Sequence, residues 1–323
     1  MKLNNMKKMK RIVYGAPRSN TPAGGVKVIY KQSELVNQLG RRSAVWHPGE
    51  GFYRCTWFEN HAEVINGELN AEDDFVILPE IWATGYHEEF INKEINYGIY
   101  VQNAYYTHVN LNLRNEKAII EAYENAKIIL SISKDSSKYI QEIFGIESNK
   151  IVLQRYSIDN KIFKPGIKKR KITYMPRKME QHSNRVISIL QNLIPKNWEI
   201  QAIDKMNEID VASHLAESLI FLAFSEFEGL PVPPVEAGIC GNIVIGYHGQ
   251  GGLEYWDKPI YNEIHQGDIQ NFILKILETI NEIDQNGVDI NKINSGIESI
   301  SEYFSLKNEI SMVQNFIKKV EGV

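Results

Sequence analysis

The stretch Phe224-Ser-Glu-Phe-Glu-Gly-Leu-Pro-Val-Pro-Pro-Val-Glu-Ala-Gly238 sets two glutamates, Glu228 and Glu236, on either side of a proline-rich turn. One continuous helix cannot carry both, because Pro231, Pro233 and Pro234 each lack the backbone N–H that a helix interior needs. The sequence predicts a strand over 219–224, a loop holding Glu228, and a helix opening at Pro233 or Pro234, since a proline at the first helical position forfeits no bond. Glu236 then falls in the first helical turn, at the third position. Both carboxylates face the C-terminal edge of the strand, the edge where open parallel sheets bind ligands.

Outward from this stretch, short β-rich apolar runs alternate with longer segments of helical period, the pattern of βαβ units and parallel sheets. In the first half the expected strands are 11–15, 43–47, 75–78, 99–102, 128–131 and 151–153, with helices over 26–39, 116–125 and 134–144. The alternation restarts with strands 172–175, 199–203, 219–224 and 243–246 and helices 184–192, 211–217 and 234–239, and from Gly267 to Val320 the pattern is almost all helical. Pro165-Gly166, followed by a basic run, marks the boundary. The expectation is an α/β protein of two doubly wound, Rossmann-like domains with a cleft between them, over 1–164 and 165–305, followed by a last segment 306–323.

Length and composition agree with this. A chain of 323 residues fits two domains of roughly 150 residues each. Its 43% hydrophobic and 24% charged content is ordinary for a globular protein. The apolar runs are far shorter than the roughly 20 residues of a membrane helix. The basic N-terminus is not followed by the apolar region of a secretory signal. Cys55 and Cys240 are too few for a disulfide framework or a zinc site, so a cytoplasmic protein is expected. The net charge of −4 gives no global attraction to nucleic acid. Two basic clusters, Lys7 to Arg11 and Lys164 to Lys171, read either as a solvated tail and linker or as weak peripheral contact with the inner face of a membrane. Such contact is worth about 1 kcal/mol per basic residue near anionic lipid.

Further residues bear on chemistry. Gly24 and Gly25 stand just before a helical pattern, where small residues let a ligand approach helix N-terminal amides; a plain turn is the alternative. Neither a dinucleotide fingerprint nor a P-loop is present there. The run Tyr247-His-Gly-Gln-Gly-Gly-Leu-Glu-Tyr255 could aim amides at an anion or be a flexible loop, and Glu254 in it could bind a sugar hydroxyl or favour a helix N-terminus. Arg177 and Lys178 after strand 172–175 suit a diphosphate, or form an exposed pair. Glu236 could equally cap its own helix, and Glu228 could be a solvated loop carboxylate. His47 ends a strand and is a candidate to face the cleft. The histidines at 47, 61, 87, 108, 182 and 248 show no metal-ligand spacing, so no metal or other cofactor is expected.

Together these residues resemble the nucleotide-sugar glycosyltransferases of the GT-B fold, most similar to the retaining enzymes of family 4. The likeness rests on Glu228-Gly-Leu-Pro-Val-Pro-Pro-Val-Glu236-Ala-Gly, which keeps the family's Glu-x7-Glu spacing, and on Gly24-Gly25-Val26, Ile158-Asp159 with Phe163-Lys-Pro165, and Gly251-Gly252-Leu-Glu254, in the family's order. It implies an acceptor bound by the first domain and a nucleotide diphosphate sugar held mainly by the second, with Glu236 on the ribose hydroxyls and Glu228 beside the donor sugar. Arg177 and Lys178 would neutralise the diphosphate, helped by amides near Gly24, Gly25, Gly251 and Gly252. Gly229, Leu230 and Glu254 would complete the donor site. It implies same-face chemistry without a protein nucleophile, and a last segment 306–323 that returns to the first domain as a helix. Two departures stand out. His182 occupies the place of a family lysine, for which Lys178 could substitute, and Tyr100-Val-Gln102-Asn103 sets an amide where many members have a histidine. Asn103 is the second catalytic-site candidate beside Glu228, able to hydrogen-bond a sugar hydroxyl but not to act as acid or base.

The reading is an enzyme adding one sugar to a glycan or lipid-linked acceptor of the bacterial cell surface. The second reading is a non-catalytic nucleotide- or glycan-binding subunit on the same fold. An epimerase or phosphorylase is the third.

Overall fold

The computed structural model of the chain describes residues 9–108 and 116–322. The chain divides into two units. One runs to Tyr156 and takes up the chain again at Glu309; the other is Ser157–Asn308.

The first unit contains β1 (Arg11–Gly15), α1 (Gly24–Gln38), β2 (Ser43–Trp46), β3 (Val64–Ile65), β4 (Asp74–Pro79), α2 (Ala83–Asn92), β5 (Asn96–Val101), α3 (Glu116–Asn125), β6 (Ile128–Ser131), α4 (Lys134–Phe144) and β7 (Ile151–Leu153). Its strands form a parallel sheet in the order β3-β2-β1-β4-β5-β6-β7. Every residue of β2, β4 and β6 is buried, as expected of strands covered by helices on both faces. Local signals set the helix ends. Ser133 caps α4, its hydroxyl accepting the Ser136 N–H at 3.0 Å, and Gly145 closes the helix in the left-handed conformation at φ 67°.

The second unit contains β8 (Lys169–Tyr174), α5 (Glu180–Leu190), β9 (Glu199–Ala202), α6 (Glu208–Glu217), β10 (Ser218–Ala223), α7 (Val232–Ile239), β11 (Ile243–Gly246), β12 (Tyr261–Glu263), α8 (Ile269–Asn286) and α9 (Ile290–Tyr303). Its five strands are again parallel, in the order β12-β11-β10-β8-β9. The fully buried β10 lies at the centre, beside β8 and β11. The last helix, α10 (Leu306–Glu321), belongs to the first unit from Glu309 onward. There Phe316 lies 6.4 Å from Tyr14, ring to ring, and Lys319 Nζ donates to the Asn149 carbonyl at 2.6 Å.

The architecture is the expected one, two parallel-sheet Rossmann-like units. Several local expectations need correction. Helix α7 opens at Val232, with both Pro233 and Pro234 inside its first turn, so Glu236 is its fifth residue rather than its third. Helix α2 and the short edge strands β3 and β12 carried too little pattern to be expected. α2 buries only Ala83, His87 and Phe90. The basic run is only in part a solvated linker: residues 164–167 are exposed, but the charges from Lys168 onward are engaged. Lys168 Nζ donates to the carbonyls of Ser218 and Cys240 at 2.7 and 2.6 Å, and burial lowers its pKa to about 8. Lys169 and Lys171 pair with Glu217, and Arg170 with Asp284 at 2.7 Å. These charges secure the start of β8. Of the N-terminal cluster, Lys7 and Lys8 lie outside the described residues.

Candidate functional site

In the second unit the loops that leave β8, β10 and β11 share the C-terminal edge of the sheet. The loop after β10 carries Glu228, and the loop after β8 carries Lys178, whose ammonium donates to the Glu228 carboxylate. Their side chains are 20% and 39% exposed, so the pair stays open to solvent and to a ligand. The loop after β11 holds Glu228 from the main chain. The Glu228 N–H donates to the Gly249 carbonyl at 2.9 Å, and the Gly251 N–H donates to the Glu228 carbonyl at 3.1 Å, a single parallel bridge facing Gln250. Met175, Ser225, Pro233 and Pro234 complete a small pocket beside Lys178 and Glu228.

The glycines of this loop serve close approach. A Cβ on Gly251 would lie 1.9 Å from the Gly229 carbonyl oxygen, and one on Gly252 would lie 3.1 Å from the Pro231 ring. The N–H groups of Gly251 and Gly252 donate within the two loops, the latter to the His248 carbonyl at 3.1 Å, rather than pointing outward. Leu230, in the same loop as Glu228, is buried at 6% exposure. Glu254 lies in a short 3-10 helix and accepts the Tyr303 hydroxyl at 3.0 Å.

Glu236 is half-buried on α7, one turn before Cys240. The Cys240 thiol is pushed up to about 12 by burial, and the Glu236 charge adds to that. Arg177 is exposed in the turn after β8 and makes no ion pair with a described residue. His182, in the first turn of α5, rests edge-on against Tyr247 with ring centroids 5.9 Å apart, and its buried Nδ1 has no hydrogen-bond partner among the described residues.

A further signal escaped the sequence reading. Met179, Lys205, Phe227 and Gln250 have left-handed backbones, with φ of 46°, 52°, 47° and 67°. They fall one each in the loops after β8, β9, β10 and β11. Among the described residues, Glu94 is the one other non-glycine with positive φ. Each such residue costs of order 1–3 kcal/mol, and strain of this kind gathers at ligand sites.

The first unit shows a different edge. Gly24 opens α1, and a Cβ there would meet nothing, whereas one on Gly25 would lie 2.2 Å from Gln102 Oε1. Gln102 Nε2 donates to the Gly25 carbonyl at 3.1 Å, so the second glycine admits a side chain from the loop after β5. Asn103 is buried, and its side-chain oxygen accepts the Tyr105 N–H at 3.0 Å, capping a 3-10 turn. Glu80, absent from the sequence reading, follows β4 and accepts the N–H groups of Gln102 and Asn103 at 3.3 and 3.0 Å. Burial raises its pKa to about 7. His47 does not face a cleft. It is fully buried, Nδ1 donates to the Ala16 carbonyl at 2.7 Å, and Nε2 therefore accepts from the Tyr30 hydroxyl at 2.6 Å. Burial lowers its pKa to about 4, so the ring is neutral at pH 7.

No group of three metal-ligating side chains occurs among the described residues, and none of the described helices is long and apolar enough to cross a membrane.

No family model matches the chain. A curated relative, the alpha-1,6-glucosyltransferase of Actinobacillus pleuropneumoniae serotype 7, is 24% identical over 271 residues, covering 80% of this chain and 78% of that protein. Among solved structures, Anabaena HepE in complex with UDP superposes with a TM-score of 0.71 at 10% identity, over 98% of this chain and all of that one. A sucrose-phosphate synthase from Thermosynechococcus elongatus gives 0.69 at 10% identity, covering 96% and 99%. A glycosyltransferase from Rickettsia africae gives 0.66 at 13% identity, covering 97% and 99%. The fold is that of the GT-B glycosyltransferase structures.

Proposed function

We propose that this chain is a nucleotide-sugar-dependent glycosyltransferase of the retaining, family 4 type. The observation that carries the reading is the Lys178–Glu228 pair, held by the loop after β11 at the C-terminal edge of a parallel sheet. The same fold is found in HepE, which has been solved with UDP and with UDP-glucose.

On this reading Arg177 and Lys178 neutralise the diphosphate, arginine as a fork and lysine as a point charge. Glu236 accepts hydrogen bonds from ribose hydroxyls. Glu228 stands by the donor sugar and stabilises positive charge as the anomeric centre opens. The bond from the anomeric carbon to the β-phosphate oxygen breaks, and a bond to an acceptor hydroxyl oxygen forms on the same face. The acceptor proton passes to the departing phosphate oxygen, and a nucleoside diphosphate leaves. No protein nucleophile is needed. The relative's name agrees with retention for an α-linked donor such as UDP-glucose, because an alpha-1,6-glucosyltransferase makes an α linkage. The acceptor is a sugar hydroxyl on a glycan or a lipid-linked precursor.

The second reading, a nucleotide-binding subunit without turnover, draws on Asn103, which is buried as a turn cap and supplies no acid or base. One assay separates the two. UDP-, ADP- and GDP-linked hexoses are incubated with the chain and a panel of saccharide acceptors, and nucleotide release is followed together with the anomeric configuration of the product. Release with an α-linked product supports the transferase. Tight nucleotide binding without release from any donor supports the subunit, and a β-linked product from an α-linked donor overturns retention.

A further inference from the structure

The segment 47–63, between β2 and β3, is irregular yet pinned throughout. Gly49 and Gly51, at φ 105° and 74°, curl its tip so that the carbonyls of Glu50 and Gly51 accept from Arg18 at 2.8 and 2.9 Å. Tyr53 Oη donates to the Ser19 carbonyl at 2.6 Å, and Trp57 Nε1 donates to the same oxygen at 3.0 Å. Asn60 Nδ2 closes the far side on the Cys55 carbonyl at 2.9 Å. Long segments without regular structure in compact domains are commonly functional, and this one leaves the ligand-binding edge of its sheet.

Its aromatic residues sort into two kinds. Tyr53 meets His47 edge-to-face with ring centroids 4.8 Å apart, Trp57 lies tilted on Phe58 at 4.5 Å, and Phe58 meets Tyr30 edge-to-face at 5.4 Å. Phe52, directly after the pinned tip, stacks on no ring of a described residue and is 65% exposed. A single exposed apolar residue needs no explanation. A phenyl ring held out on a rigid tip, with half-buried Tyr53 and Trp57 nearby, has the form of a shelf for a flat apolar face.

The charge around it narrows the ligand. Arg18 is engaged by two carbonyls and lies over the Tyr53 ring at 5.6 Å, and Arg54 donates to Asn60 Oδ1 at 2.8 Å. Glu50, Glu59 and Glu63 share the segment. With more acids than bases and its cations engaged, the surface does not suit a phosphate or carboxylate. An exposed aromatic face beside carboxylates suits the C–H face of a pyranose ring, whose hydroxyls can donate to those carboxylates.

We propose that segment 47–63 is a binding platform for a neutral saccharide, the acceptor of the transfer reaction, with Phe52 as the ring on which that sugar stacks. This rests on the transferase reading only for the word acceptor, because saccharide binding is measurable without turnover.

The test uses the full chain, fluorescently labelled, on immobilised neutral and anionic oligosaccharides and with vesicles of phosphatidylcholine and phosphatidylglycerol. The best-bound neutral oligosaccharide is then titrated into wild type, Phe52→Ala and Phe52→Trp. Binding to neutral glycans is expected, weakened about tenfold in F52A and restored in F52W, with melting temperature and UDP affinity unchanged. Binding confined to anionic glycans or to the anionic vesicles overturns the proposal. So does equal affinity of F52A, or the absence of any glycan binding by a chain that binds UDP. Failure of UDP binding alone, with Phe52-dependent glycan binding intact, removes the transferase reading and leaves the platform.

Discussion

The two sheet edges treat charge in opposite ways. In the second unit, Lys178 and Glu228 form an ion pair that is partly open, and Arg177 is exposed. In the first unit, His47 is buried and neutral, and Glu80 is buried with its pKa raised toward 7. Open charges can be redirected to a charged ligand at modest cost, while buried ones titrate with the fold. On the proposed reading, this contrast favours the second unit's edge for the anionic donor and the first unit's edge for a neutral ligand.

The sharpest way to break that assignment is Glu228→Gln. It keeps the shape and removes the charge, and turnover should fall about 10²-fold or more, the usual range for losing one electrostatic stabiliser, with UDP affinity nearly unchanged. Equal turnover in the variant would leave Glu228 without its role.

The first unit's edge predicts a pH signature. The folded pKa of His47, about 4, lies below its ordinary 6.5, so its stabilisation is complete above pH 6.5 and is lost as pH falls toward 4. Glu80 runs the other way. Its folded value of about 7 lies above the ordinary 4.5, so its contribution is complete below pH 4.5 and is lost as pH rises through 7. Each amounts to roughly 3 kcal/mol, and between these limits the two slopes offset one another. Urea midpoints measured across pH 4–7.5 should therefore rise with pH in Glu80→Gln and fall with pH in His47→Gln, whatever the overall loss in stability. Parallel profiles in both variants would show that the groups are not buried as described.

A smaller effect is expected from Glu236→Ala, about a tenfold loss of nucleotide affinity, read by calorimetry. The smallest separates two glycines. Gly24→Ala meets open space and should change stability by less than about 1 kcal/mol, while Gly251→Ala must move the Gly229 carbonyl and should also impair turnover through Glu228. Indifference at Gly251 would mean that the two loops do not meet.

Much of this was legible before any coordinates. The alternation of strands and helices carried the fold, because fully buried parallel strands such as β4 and β10 hold apolar runs, 75–78 and 219–223. The prolines located the turn after β10. The start of α7, expected at Pro233 or Pro234, lies one or two residues earlier because Val232 carries no capping signal, and that moved Glu236 out of the first turn. Glu80 was invisible because its partners are main-chain groups after β5, far along the sequence. The glycines at 249–252 were visible as a cluster, but their reason, the approach of the Glu228 loop, is tertiary. The basic run misled because Glu217 and Asp284, which neutralise it, lie distant in the chain.

The central claim is that Lys178 and its neighbours receive a nucleoside diphosphate. Titrating UDP, ADP and GDP into the full chain by calorimetry, with wild type and Lys178→Ala side by side, tests it most directly. Saturable binding of at least one diphosphate, weakened about tenfold or more in the variant, is the predicted result. Absence of binding by all three, or binding indifferent to Lys178, would contradict it.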